Sequence, residues 1–92
     1  MLAKALMYSG EHYEAASIYQ SLIKRQKKEY GLVDSFVAEL MLDLSECYIR
    51  RNAKGDVKRA EKELLLALEI LLTVEGASGE LTIRARDMLD SL

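Results

Sequence analysis

The spacing of glycine is the sequence feature that most constrains the fold of this chain. Gly10 and Gly55 are 45 residues apart, and Gly31 and Gly76 are separated by the same interval. Together with Gly79 they are the only glycines in the 92 residues, and the chain contains no proline. Because strong helix formers such as Ala, Leu, Glu and Lys fill the intervals, the glycines indicate turns between helices.

Each segment between glycines carries apolar residues at three- and four-residue spacing, which predicts an amphipathic helix. Five helices are expected, over residues 2–9, 11–30, 34–53, 56–75 and 79–91. The predicted core stripes are His12, Ala15, Ala16, Tyr19, Leu22 and Ile23 in the second helix, Phe36, Val37, Leu40, Leu44, Cys47 and Tyr48 in the third, and Val57, Ala60, Leu64, Ala67, Leu68 and Leu71 in the fourth. We predict Asp34, Asp56 and Ser78 as N-caps.

The 45-residue interval also relates apolar positions, so it defines an internal repeat. Ala15 corresponds to Ala60, and Tyr19 corresponds to Leu64. The repeated unit is a helix, a tight turn at glycine, a second helix and a short loop. We therefore predict one all-α domain over residues 1–92, built of antiparallel helix pairs. Its parts are a first pair over 1–30 with a truncated first helix, a second pair over 34–75, and a helix over 79–91 from a third or capping unit.

Two segments carry a motif that resembles a known family. Residues 10–19 combine a turn glycine, a small alanine five residues later and an aromatic residue four positions beyond it, and residues 55–64 repeat this with leucine for the aromatic. The pattern resembles the tetratricopeptide repeat. Leu2 and Leu44 are 42 positions apart, which exceeds the usual 34-residue period, so the longer kinesin-light-chain-like subclass is the most similar. The resemblance implies an α–α superhelical solenoid in which the first helix of each pair lines a concave, partner-binding groove.

The residue types that could carry catalysis do not form a convincing site. His12 and Cys47 could serve as base and nucleophile, but no third orienting group or oxyanion motif accompanies them, and both lie on predicted core stripes. The carboxylates of Glu39, Asp43 and Glu46 share one helical face, as paired acids do in a hydrolase, although a solvated or partner-facing surface is commoner. We predict a non-enzymatic protein with no catalytic residue, no metal site and no cofactor.

Charge and composition restrict the partner and the location. Thirteen basic and fifteen acidic residues give a formal net charge of −2, which favours neither nucleic acid nor anionic lipid. The longest apolar run, residues 64–72, is interrupted by Glu69 and is too short to span a membrane. The single cysteine cannot form an internal disulfide, so we expect a cytoplasmic protein, with the nucleus as the other reducing compartment.

The resemblance to tetratricopeptide proteins also implies where a partner binds. The groove residues would be Lys4, Met7 and Tyr8 from the first helix, and Glu39, Leu42, Asp43, Glu46, Ile49 and Arg50 from the third. Family members that grip an acidic C-terminal tail use a clamp of Lys, Arg and Asn. Asp43 and Glu46 stand where such a clamp needs neutral or basic side chains, so we predict no carboxylate clamp and a basic or mixed-charge peptide ligand. A solvated face without a partner is the alternative.

The fourth helix predicts a second surface. Leu65, Leu66 and Leu72 lie outside its core stripe, so this helix is apolar on most of its circumference. Burial by the helix over 79–91 would account for this pattern, and so would self-association as a homodimer. The sequence thus favours a non-catalytic adaptor or scaffold that binds a protein or peptide. The alternative is a structural segment that mediates self-association or stacking within a larger repeat protein.

Overall fold

The computed structural model of the chain describes residues 2–31 and 33–92, and all regular structure within them is α-helical. Met1 and Leu32 lie outside the described residues. The five described helices are α1 (Leu2–Tyr8), α2 (His12–Tyr30), α3 (Ser35–Arg51), α4 (Asp56–Val74) and α5 (Glu80–Asp90). The predicted all-α class is confirmed, and each predicted helix boundary lies within two residues of the observed one. Among these helices, none is long and apolar enough to cross a membrane.

The glycines of the two halves adopt matching backbone conformations. Gly10 has a φ of +94° and its counterpart Gly55 has +84°, while Gly31 has +84° and its counterpart Gly76 has +81°. Residues with a side chain rarely occupy this left-handed region, so glycine is needed where the chain reverses before α2 and α4. The 45-residue interval in the sequence therefore corresponds to a repeated backbone geometry.

Consecutive helices pack on one another along the chain, from α1 on α2 to α4 on α5. The centre of the core is α3, in which ten of seventeen residues are buried. These buried residues are Val37, Ala38, Leu40, Met41, Leu42, Asp43, Leu44, Ser45, Cys47 and Tyr48. They span much more than one stripe, so α3 is covered on most of its circumference.

Most of the predicted core stripes are buried, but two of their residues are exposed, and Leu22 and Leu68 are only partly buried. Phe36 and Val57 are each half exposed, and each is the second residue of its helix, at the edge of the bundle. His12 is only partly buried because it begins α2. Ala15 and Ala60, the repeat-related alanines, are completely buried.

Acidic side chains cap the starts of two helices, α3 and α5, and only one of them was predicted. The carboxylate of Asp34 accepts hydrogen bonds from the backbone N–H groups of Phe36 at 2.7 Å and Val37 at 3.3 Å, which confirms its N-cap role. The prediction for Asp56 is wrong, because Gly55 occupies the cap position and Asp56 is the first residue of α4.

The predicted cap at Ser78 is also wrong. Gly79 occupies the N-cap position of α5 and has no side chain to offer. The carboxylate of Glu75, which precedes the helix in sequence, takes the role of an N-cap side chain. It accepts hydrogen bonds from the backbone N–H groups of Leu81 at 3.0 Å and Thr82 at 3.2 Å.

Candidate binding face

Side chains from α1, α3 and α5 meet on one face of the molecule, although these helices are not neighbours in sequence. The guanidinium carbon of Arg50 lies 4.8 Å from the centre of the Tyr8 ring, which joins α3 to α1. Arg84 of α5 donates from Nη2 to Asp43 Oδ1 at 3.1 Å and to Glu46 Oε1 at 3.4 Å. We call these five residues, Tyr8, Asp43, Glu46, Arg50 and Arg84, the polar row.

The spacing of residues on α3 positions the middle of the polar row. Asp43, Glu46 and Arg50 follow one another at three- and four-residue intervals, so they project from the same side of the helix. Glu46 Oε2 accepts a hydrogen bond from Arg50 Nε at 3.0 Å, which leaves its other oxygen for Arg84. The aromatic ring of Tyr8 is therefore followed along the row by alternating cations and anions, in the order Arg50, Glu46, Arg84 and Asp43.

The structure separates the predicted groove residues into accessible and inaccessible ones. Lys4, Tyr8, Glu39 and Arg50 are exposed, and Glu46 and Ile49 are partly buried. Met7, Leu42 and Asp43 are buried, so the expectation that they face a ligand is wrong. Both Met7 and Leu42 belong to the hydrophobic core, so part of the predicted groove side is covered by packing between the helices.

The predicted acidic surface is also altered by residues that sequence reasoning missed. We expected Glu39, Asp43 and Glu46 to present free carboxylates to a basic ligand, but Asp43 and Glu46 are already paired with Arg84. The internal repeat could have revealed this contact, because Arg84 lies 45 residues after Glu39 and is its counterpart on α5. A basic ligand would have to compete with an internal arginine.

One buried hydroxyl lies beside the polar row. Tyr19 is completely buried, and its hydroxyl has no hydrogen-bond partner in the described part of the chain. Burial and the nearby negative charge of Asp43 and Glu46 raise the pKa of this phenol well above its usual range. The hydroxyl therefore stays protonated in the folded chain.

Of the two catalytic candidates from the sequence, His12 is partly buried at the start of α2 and Cys47 lies in the core. Cys47 is completely buried, and burial is the main cause that raises the pKa of its thiol to about 11. Its thiolate is therefore scarce at neutral pH, which removes its nucleophilic character. Within residues 2–31 and 33–92, no group of three His, Cys, Asp or Glu side chains is placed to hold a metal ion.

The predicted apolar surface of α4 is accessible to solvent. Leu65 is 52% exposed, and Leu66 and Leu72 are 41% and 42% exposed. At these exposures, α5 does not cover the three leucines. Their side chains can therefore contact other molecules.

Comparison of the chain with protein-family models, with curated proteins and with solved structures finds no match.

Proposed function

We propose that the chain is a non-catalytic protein-interaction module, built as a tetratricopeptide-like solenoid, that binds a peptide across α1, α3 and α5. Three features support the solenoid: the 45-residue repeat, the matching positive φ angles of its glycines, and the packing of consecutive helices. In such a solenoid the first helix of each pair lines one side, and α1, α3 and α5 are the first helices here. A chain with one buried thiol suits a reducing compartment, so we place the module in the cytoplasm or nucleus.

The observation that carries this proposal is the polar row. Its members come from three helices, and Tyr8 and Arg50 remain exposed enough to contact a ligand. Exposed ion pairs contribute only about 0.2–1 kcal/mol each, so we expect the Tyr8 ring and the partly buried Ile49 to supply most of the affinity. The charges of Lys4 and Glu39 then set ligand preference and association rate.

Of the two predicted ligand classes, basic and mixed charge, we favour a peptide of mixed charge. Glu46 is shared between Arg50 and Arg84, whereas Lys4 and Glu39 are exposed and take part in no ion pair with another described residue. A peptide with both an acidic and a basic side chain can therefore pair with groups that are not already neutralised. The absence of a carboxylate clamp remains a prediction.

Selection of peptides from a displayed random library tests this function. We expect selected peptides to carry mixed charge and to bind Tyr8→Ala and Arg50→Ala several times more weakly than the unmodified chain, because both changes remove exposed contact surface. Tyr30→Ala and Lys28→Ala are matched controls, since these exposed residues lie at the far end of α2. Peptides that bind the Tyr8 and Arg50 variants undiminished would place the binding surface elsewhere, and failure to enrich any peptide would contradict the function.

A second function, assembly through α4, is favoured by the exposure of Leu65, Leu66 and Leu72. In this case the chain acts as a structural segment that self-associates or stacks within a larger repeat protein. Exposed leucines gain free energy when a neighbouring surface removes them from water. The dependence of molecular mass on concentration separates this function from that of a strictly monomeric adaptor.

A further inference from the structure

A cleft of about 450 Å³ lies at the end of the bundle where α3 passes into α4. Tyr13 and Gln20 line it from α2, Tyr48 and Arg51 from α3, and Lys54 and Arg59 from the connection and the start of α4. Among the described residues, no acidic side chain lines the cleft, although the buried Asp56 lies behind its arginines. The cleft is separate from the polar row and takes no part in the peptide binding proposed above.

Arg51 is held in a fixed position within this cleft. Its guanidinium carbon lies 4.4 Å from the centre of the Tyr13 ring and 5.3 Å from that of Tyr48. Arg51 Nε and Nη2 donate to the carboxylate of Asp56 at 2.8 Å and 2.6 Å. The remaining nitrogen, Nη1, donates no hydrogen bond to another described residue, so it is available to a ligand.

The cleft carries more positive than negative charge. Asp56 is completely buried, and its carboxylate is shared between Arg51 and Arg59, whose Nη1 lies 3.0 Å from Oδ1. Lys54 is exposed and forms no ion pair with another described residue. Three cationic side chains against one carboxylate leave a formal excess of two positive charges. A doubly charged anion would neutralise this excess.

We propose that this cleft binds a phosphate monoester carried on an aromatic ring, as in a phosphorylated tyrosine side chain of a partner protein. A phosphate monoester carries a charge of about −1.5 to −2 at neutral pH, which matches the excess of the cleft. Guanidinium nitrogens donate well to phosphate oxygens. Arg51 Nη1 and the Nε and Nη2 of Arg59 donate no hydrogen bond to another described residue, so these nitrogens remain for the phosphate. Tyr13 is 69% exposed as a residue, and Arg51 covers one face of its ring, so the other face is the stacking surface for the ring of the ligand. The anion-binding site itself does not depend on the proposed function. Only the assignment of the phosphate to a partner protein rests on it.

Titration of the isotopically labelled chain with phenyl phosphate, followed by amide chemical shifts, tests this site. We expect saturable shifts concentrated in residues 51–59. Lys54→Gln with Arg59→Gln should weaken the binding by about tenfold or more, because each change removes a donor to a charged group. Lys58→Gln with Lys62→Gln is the matched control, since both lysines are exposed on α4 and lie outside the cleft.

Arg59 contacts Asp56, so its replacement could also disturb the fold. Lys54→Gln alone avoids this, because Lys54 lies on the surface and makes no ion pair with a described residue. We expect this single change to weaken phenyl phosphate binding severalfold with an unchanged thermal midpoint. The site would be refuted by the absence of saturable shifts, by equal loss in the lysine control pair, or by unchanged affinity in Lys54→Gln.

Related anions distinguish the source of the phosphate. Phenyl sulfate has the same ring but a single negative charge, so we expect it to bind several times more weakly. Inorganic phosphate should also bind more weakly than phenyl phosphate, and Tyr13→Ala should abolish that difference. Equal affinity for phenyl sulfate would overturn the charge argument, and equal affinity for inorganic phosphate would overturn the aromatic ligand in favour of a free anion.

Binding of phenyl phosphate should depend on pH but not on the polar row. Lowering the pH from 7.5 to 5 protonates the monoester, whose second pKa is about 6, and should weaken its binding. Tyr8→Ala, which tests the peptide face, should leave phenyl phosphate binding unchanged. Failure of the peptide selection and failure of this titration are therefore separate results.

Discussion

At the scale of single residues, Asp56 makes the most concentrated set of polar contacts in the described chain. Its side chain is completely buried, and it accepts hydrogen bonds from Arg51, Arg59 and the backbone N–H of Ala53. The hydrogen bond from Arg51 is the main cause that holds the pKa of this carboxyl far below its ordinary value of 3.8. Asp56 thereby fixes the connection between α3 and α4.

Replacement of Asp56 by Asn should lower the free energy of unfolding by about 2–4 kcal/mol at pH 7, because it removes one partner of a buried ion pair. The native pKa is depressed, so the stabilisation is fully present above about pH 5 and is lost as the pH falls through the unfolded value towards the native one. Urea unfolding of the unmodified chain between pH 7 and pH 2 should show this loss.

The Asp56→Asn variant should show a smaller loss of stability over the same acid range. Asp90→Asn provides the control, because Asp90 is exposed at the end of α5 and forms no ion pair with a described residue. The opposite result is a free energy of unfolding that falls equally steeply with decreasing pH in Asp56→Asn and in the unmodified chain. That result would show that other carboxylates cause the loss of stability in acid.

At the scale of elements, α5 depends on a cap supplied from outside the helix. It has only eleven residues, and an isolated helix of that length is marginal in water. The Glu75 carboxylate accepts bonds from two of its first backbone N–H groups and from the Thr82 hydroxyl at 3.3 Å. A negative charge also suits the positive end of the helix dipole. A Cβ added at Gly79 would collide with this carboxylate.

We therefore expect Glu75→Ala and Gly79→Ala each to lower stability by about 0.5–2 kcal/mol, the usual effect of losing an N-cap. The double variant should be little worse than either single one, because both changes remove the same cap. Amide exchange should accelerate in α5 and stay slow in α3. Glu61→Gln, an exposed change in the middle of α4, is the control. Additive losses in the double variant would show that Gly79→Ala acts by another route.

At the scale of the whole molecule, the uncovered leucines of α4 lead to a prediction about assembly. Sedimentation equilibrium should show the average mass rising above the 10.4 kDa of one chain as concentration increases. Leu65→Lys with Leu72→Lys should abolish this rise, because it places charges in the contact. Leu2→Lys, at a 66% exposed position on α1, should not. A constant single-chain mass at all concentrations would eliminate the assembly function.

The sequence by itself determined the all-α class, the number of helices and their boundaries. Turn glycines such as Gly10 and Gly55, the missing proline and the cap at Asp34 act over a few residues, so local rules suffice to predict them. Exposure of Leu65, Leu66 and Leu72 also agrees with their position outside the α4 core stripe.

Only the tertiary structure decided which groove residues can meet a ligand. Periodicity shows which side of a helix is apolar, but not how many neighbouring helices cover its other sides. The packing around α3 buries Leu42 and Asp43, and it brings Arg84 from 41 residues away to neutralise Asp43. The same holds for Asp56, whose partners are assembled by the turn between two packed helices. The Arg84–Asp43 pair joins α5 to α3 and the Arg51–Asp56 pair joins α3 to α4, so neither can be predicted from the pattern of a single helix.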